Sequence, residues 1–403
     1  MKVLTHIPIN FMRKSSYSIS PMNVLIHIFE LTKLLLDKGF EIHCLLEFEI
    51  DFQTSDYFSN IIQNRVKFVM IDEINNNSNY DFFMGFDSCY KDVIARNKLN
   101  QRNFCKSDKN KYVVTGWGSC SFEPCDNSEL IHYVMYCRDY TNGEISRFAA
   151  DHTIIPITNP GIMDTLNYNP IFNNIVIATS SRLTGLENCD YNMEHNWIKT
   201  LYFFEDKYSN IIFDFFFDPI NYISDIDNSA PHFFHKHQGF NMRLCKNMPY
   251  FEFMEFFSKS LGYIHPKFRD NLSRIMYEAS YMGLPVLFSQ NVLFGPYSTF
   301  PSMANENDYI IAIDMIEKMI QYSEWYKNQM KMENCLRDDI LISSISKSDY
   351  EINNIPDESR TYYPKTFDLY KRMQLSFQKE IKDIVEDVPN QISSFTEKIK
   401  KAI

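Results

Sequence analysis

The sequence predicts an α/β protein built as two Rossmann-like domains facing a cleft, with helices closing the C-terminal end of the chain. Three observations carry that prediction. The first fifty residues read strand, loop, helix, glycine turn, strand, a βαβ unit that implies a parallel sheet. The same rhythm restarts after a strong break at Asn159-Pro160-Gly161. The third is size: 403 residues with 45% hydrophobic and 15% aromatic content suffice for two or three packed domains.

Taken in order, Lys2 to Ile9 reads as a short buried strand, and residues 10–21 as a polar, Ser-rich loop. Asn23 to Leu36 carries Val24, Ile28, Leu31, Leu34 and Leu35 at helical spacing, Lys38-Gly39 supplies the stop, and Glu41 to Glu47 reads as the next strand. Further strands are expected at 66–71, 81–86, 111–115, 131–137 and 153–157. Past the break, strands are expected at 174–179, 211–217, 242–245, 261–264 and 286–289. Helices are expected at 194–208, 250–259 and 272–282. Helical segments at 310–335 and 364–386 complete the reading. The expected domains are 1–162, 163–345 and a helical 346–403 that crosses back to the first.

The net charge of −11 argues against a protein that coats nucleic acid or anionic membrane by bulk charge. Eleven Gly and 16 Pro exclude collagen-like and low-complexity classes. Nine scattered cysteines, with no Cys-x-x-Cys, read as reduced thiols. Met1 to Pro8 reads as strand rather than secretory leader, and no apolar run approaches the ~20 residues of a membrane span. A cytoplasmic protein is expected.

The most informative stretch is Leu261 to Ser289, LGYIHPKFRDNLSRIMYEASYMGLPVLFS. Asp270 or Asn271 can cap a helix whose buried stripe is Leu272, Ile275, Met276, Ala279 and Met282. Gly283 ends it, and Leu284-Pro285-Val286 enters the next strand. Asp270 and Glu278 then stand roughly 12 Å apart along the helix axis. The amides of Asn271, Leu272 and Ser273 lie between them. A helix N-terminus suits a diphosphate, and a carboxylate beyond each end of it could hold one sugar apiece. The plainer reading is an ordinary α/β helix with a polar outer face.

This stretch resembles the nucleotide-sugar site of the GT-B retaining glycosyltransferases of the family 4 kind. Their signature is an acidic residue, seven residues, Glu, then Ala-x-x-x-Gly-x-Pro-Val. Here it stands as Asp270, Glu278-Ala279 and Gly283-Leu284-Pro285-Val286. The resemblance implies the GT-B fold, with Asp270 touching the transferred sugar and Glu278 the ribose hydroxyls. The family usually has Glu at the first position. Asn173 to Arg182, NNIVIATSSR, is similar to the strand that ends in the family's diphosphate-binding arginine, Arg182. The Lys often found five residues later is Glu187 here. Asn247-Met248-Pro249-Tyr250 occupies the nucleobase turn, which assigns Pro249 to the donor. Arg13-Lys14-Ser15-Ser16 stands where the family has Gly-Gly, which assigns Ser16 to the same ligand. The implied co-substrate is a nucleotide-diphosphate sugar, a UDP-sugar, and the scheme requires no metal. A non-catalytic sugar-nucleotide binder on the same fold is the competing class.

His132 to Thr141, HYVMYCRDYT, with Ala150 to Ile155 after it, resembles the DNA α-glucosyltransferases of T-even phages. There a His-Asp pair sits beside the transferred sugar. Arg138-Asp139 fills that place, so Asp139 carries over as catalytic, the histidine does not, and Arg138 falls on the acceptor side. Between Lys91 and Lys111 seven basic residues face two acidic ones. A solvated loop is the plain reading. A backbone-phosphate contact through Lys98 and Arg102 is the functional one. With the AT-rich bias of the composition, these features point to a hydroxymethylated pyrimidine in duplex, phage DNA as acceptor. A cell-surface or capsular glycan is the alternative.

Other constellations carry less. Asp225-Ile226-Asp227 has the spacing of a metal-binding Asp-x-Asp but sits in a polar loop. His232, His235 and His237 lack a completing ligand. Cys120 and Cys125 read as packed loop residues. No Walker A, GxSxG or HExxH string occurs.

Overall fold

The computed structural model describes residues 1–6, 23–46, 65–74, 78–86, 104–116, 128–135, 151–155, 165–178, 200, 202–216, 241–245, 250–265, 274–287, 308–336 and 366–403. In chain order the elements begin with β1 (Lys2–His6), α1 (Asn23–Asp37), β2 (Glu41–Leu46), β3 (Lys67–Met70) and β4 (Phe82–Phe86). Then come β5 (Asn110–Gly116), β6 (Ser128–Met135), β7 (Asp151–Ile154), β8 (Asn174–Ala178), β9 (Ile212–Phe216) and β10 (Met242–Cys245). The remainder is α2 (Tyr250–Ser258), β11 (Gly262–Ile264), α3 (Arg274–Met282), β12 (Val286–Leu287), α4 (Asp308–Leu336), α5 (Phe367–Glu386) and α6 (Val388–Ala402).

The chain divides into two units, Met1–Asn159 with Ile384–Ile403, and Pro160–Asp383. The first holds a seven-stranded sheet in the order β3-β2-β1-β4-β5-β6-β7, parallel throughout. One face of it is an apolar layer of Leu4, Leu45, Phe83, Tyr112 and Val114 closed by Phe104. Phe83, Phe104 and Tyr112 meet edge to face at 5.7–6.1 Å between ring centres. Helix α6 packs on β6 and β7, with the Phe395 ring 5.1 Å from that of His132. Pro389 lies in its first turn, where a missing N–H costs no hydrogen bond. The individual helices read from spacing end at 386, and α6 lies beyond them within the 346–403 segment expected to be helical. Its buried residues Val388, Ile392, Phe395 and Ile399 recur at helical spacing.

Asp81 ties the amino edge of this sheet together. It accepts from the Lys2 N–H at 2.6 Å and from the Lys106 ammonium at 2.8 Å. Burial alone would raise its carboxyl, but these two donors outweigh burial and hold it below its ordinary value. A depressed folded pKa contributes stability above the unfolded pKa and loses it as pH falls through the folded one. Asp81→Asn should therefore cost about 1–2 kcal/mol at neutral pH. The gap from wild type should close as pH drops below ~4. Thermal melts across a pH series check this.

The second unit holds a five-stranded parallel sheet in the order β10-β9-β8-β11-β12. Gly262 of β11 lets α4 approach closely, since a Cβ there would lie 2.2 Å from Met319 Sδ. Both predicted glycine stops are Schellman caps. Gly39 (φ 80°) and Gly283 (φ 93°) occupy the left-handed region. Phe40 N–H donates to Leu35 O, and Leu284 N–H to Ala279 O. Edge strand β12 is sealed by a side chain, because the Gln374 amide of α5 accepts from Val286 N–H at 3.2 Å and donates to Val286 O at 2.9 Å. This supplies the partner that an edge strand lacks. Gln374→Met should leave both buried groups unmet and cost about 2 kcal/mol, read as a lower urea midpoint.

Candidate functional site

Strand order decides where each sheet can receive a ligand. In a parallel sheet that site lies outside the carboxyl ends of the strands, at the point where successive connections diverge to opposite sides. In the second unit this switch lies between β8 and β11, which pair through Ile175–Gly262, Val176–Tyr263 and Ile177–Ile264. The segment after β8 contains Arg182, and the segment after β11 contains Asp270, Asn271, Leu272 and Ser273. In the first unit the switch lies between β1 and β4. Ser16 follows β1, and Lys98 and Arg102 follow β4. Arg138 and Asp139 follow β6, and Pro249 follows edge strand β10. All of these residues lie outside the described ones, as do Asp225, Asp227, His232, His235 and His237. Among the described residues, no group of three or more His, Cys, Asp or Glu could hold a metal ion.

Glu278 is the candidate that the structure describes. It lies on α3, which packs against α2 and β12. The helix is enclosed on almost every side. Met276, Tyr277, Ala279, Ser280 and Met282 are all buried, and Glu278 is 3% exposed. Of the expected stripe, Met276, Ala279 and Met282 are buried and Ile275 is half-buried, while Leu272 lies outside the described residues. A carboxylate is seldom withdrawn from water without a role or a partner, because desolvating it costs several kcal/mol.

A second buried carboxylate organises the other edge of the sheet. Asp214 of β9 is fully buried and accepts from Asn174 Nδ2 of β8 at 2.6 Å. Arg243 of β10 donates to it through Nε at 2.6 Å and Nη2 at 2.7 Å. That two-pronged bond raises the Arg243 guanidinium pKa. The Cys245 thiol is pushed up to about 12, first by burial and then by the Asp214 charge. It is therefore a packed thiol and no nucleophile. The network clamps a four-residue edge strand.

Two described cations of the basic stretch are occupied within the first unit. Lys106 pairs with Asp81, and Lys111 Nζ donates to Ala402 O of α6 at 2.6 Å. Sequence reasoning also missed His265. It follows β11 immediately and is 3% exposed, with Nδ1 2.8 Å from Tyr263 Oη. The i, i+2 spacing of the two rings on one strand face was the available signal.

No helix among the described residues is long and apolar enough to cross a membrane. No protein-family model matches the chain, and no curated protein does. Solved structures do. Sucrose-phosphate synthase from Thermosynechococcus elongatus superposes with a TM-score of 0.56 at 10% identity, over 100% of both chains. A glycosyltransferase from Rickettsia africae ESF-5 gives 0.49 at 10% identity, over 100% of this chain and 98% of that one. UDP-GlcNAc 2-epimerase from Methanocaldococcus jannaschii gives 0.43 at 10% identity, over 78% and 91%. The first of the three shows the fold, two Rossmann-like units of the GT-B kind, and at that identity it shows the fold alone.

Proposed function

We propose that this chain is a retaining glycosyltransferase. It moves a sugar from a nucleotide-diphosphate sugar, a UDP-sugar, to the hydroxyl of a hydroxymethylated pyrimidine in duplex DNA. The observation that carries the donor half is the withdrawal of Glu278 from solvent on α3, eight residues after Asp270, in the helix that follows β11 in the chain. In this reading Arg182 and the amides of Asn271, Leu272 and Ser273 take the diphosphate. Asp270 orients the sugar, Glu278 binds the ribose, and Pro249 and Ser16 complete the donor contacts. Asp139 places sugar or acceptor. The work is positioning plus electrostatic stabilisation of a leaving diphosphate and an oxocarbenium-like centre. Arg182→Ala should accordingly lower kcat more than it raises KM, which steady-state kinetics on the donor would read.

The acceptor half rests on Arg138, Lys98 and Arg102, and on a target base that leaves the duplex to reach the donor. The engagement of Lys106 and Lys111 within the protein favours a second reading, a glycan acceptor that needs no basic patch. Labelled donor offered with hydroxymethyl-pyrimidine duplex, plain duplex and lipid-linked sugar, at two salt concentrations, separates the two. Transfer to the modified duplex alone, weakened by salt and by Lys98→Glu with Arg102→Glu, supports DNA. Transfer to saccharide, indifferent to those charges, overturns it.

A further inference from the structure

The amino edge of the first sheet carries a buried relay that the transferase reading does not use. Glu41 and His43 lie two residues apart on β2 and so share a face. His43 is 3% exposed. Its Nε2 lies 2.8 Å from Glu41 Oε1, and its Nδ1 lies 3.0 Å from the Tyr80 phenol oxygen. A carboxylate only accepts, so Nε2–H donates to Glu41 and the bare Nδ1 accepts from the Tyr80 O–H. The partners thus fix one neutral tautomer. The His43 and Tyr80 rings meet edge to face at 5.4 Å, and the Lys2 ammonium stands 4.8 Å from the centre of the Tyr80 ring. Tyr80 in turn clamps the segment that enters β5. Its N–H donates to Phe104 O at 2.9 Å, and its carbonyl accepts from the Lys106 N–H at 2.8 Å.

We propose that Glu41, His43 and Tyr80 form an acid-sensitive latch that holds residues 104–106 on the amino edge of the first sheet. Protonation upsets the relay at one atom. Nδ1 then carries a hydrogen and must donate, which leaves the phenol hydrogen of a buried tyrosine without its acceptor. The charged groups facing the imidazole are Lys2 of β1, Glu41 of β2 and Lys67 of β3, and Glu73 faces Tyr80. Burial is the largest influence and lowers the imidazole pKa. The Glu41 bond opposes it, and the Lys2 and Lys67 charges add to it. Because the fold favours the neutral imidazole, the latch is closed above the ordinary histidine value of about 6.5. It weakens as pH falls below that value and the ring takes up a proton, so that residues 104–106 open locally. The Asp81 response described above begins lower, near about pH 4, which keeps the two apart. The latch does not depend on the donor assignment.

The test is hydrogen–deuterium exchange of the full chain, read by mass spectrometry from about pH 8 to about pH 5 and corrected for the intrinsic pH dependence of exchange. Wild type should lose about fivefold in protection over residues 104–106, the worth of one buried hydrogen bond, while β8 of the second unit keeps its protection. His43→Gln is polar and takes up no proton, so its protection should stay level across the range. Glu41→Gln removes the anion that favours the imidazolium, so the midpoint of the loss should move to lower pH. Protection in wild type that does not change with pH, or that falls equally in His43→Gln, would overturn the latch. Should His43→Gln fail to fold, a Glu41→Gln midpoint unmoved from that of wild type overturns it.

Discussion

Replacing Glu278 with alanine is expected to weaken nucleotide-sugar binding by on the order of 1–3 kcal/mol, roughly five- to 150-fold in Kd. The loss of affinity should exceed any change in melting temperature. Glu278 is 3% exposed on α3, and a carboxylate placed to meet a ribose loses charged hydrogen bonds to the ligand when it is truncated. Glu278→Gln separates charge from shape, and should fall between wild type and alanine. Calorimetric titration with a UDP-sugar, beside a thermal melt of each variant, reads both quantities. A carboxylate kept for structure would give the opposite pattern, a lower melting temperature and unchanged affinity.

Arg243→Met should produce the largest loss of stability. It leaves the Asp214 carboxylate, fully buried, with the Asn174 amide at 2.6 Å and the weakly donating Cys245 thiol at 3.5 Å. Breaking one side of a buried ion pair costs about 3–5 kcal/mol. Arg243 is itself 52% exposed, and water reaching the vacated side reduces the figure to about 2–3 kcal/mol. Adding Asp214→Leu to Arg243→Met should recover most of that loss, because the uncompensated charge goes with it. Urea midpoints of the two single variants and the double variant complete the cycle.

Much of the fold was legible because it follows local rules. Gly39 and Gly283 stop their helices by adopting positive φ, a requirement visible in the residue type itself. Met242–Cys245 appears as the strand the spacing indicates. The spacing reading stops at 386, short of α6, although Pro389 in its first turn is a start signal as much as a stop. Of the candidate site, the motif located Glu278, but its burial depends on α2 and β12 packing around α3. Spacing within one helix cannot supply that. Asn174, Asp214 and Arg243 meet across three strands from positions far apart in sequence. The basic stretch misled in part. Charge counts treat Lys106 and Lys111 as solvated, whereas Asp81 and the Ala402 carbonyl hold them.

The central claim, that the second unit handles a nucleotide-diphosphate sugar, is tested most directly by donor breakdown without acceptor. Wild type is incubated with each of a panel of labelled nucleotide sugars, and release of the nucleoside diphosphate is followed over time. The account predicts slow release from a UDP-sugar, with the freed sugar keeping its anomeric configuration, and its loss in Arg182→Ala and Glu278→Ala. A folded wild-type protein that neither binds nor cleaves any member of the panel would contradict it.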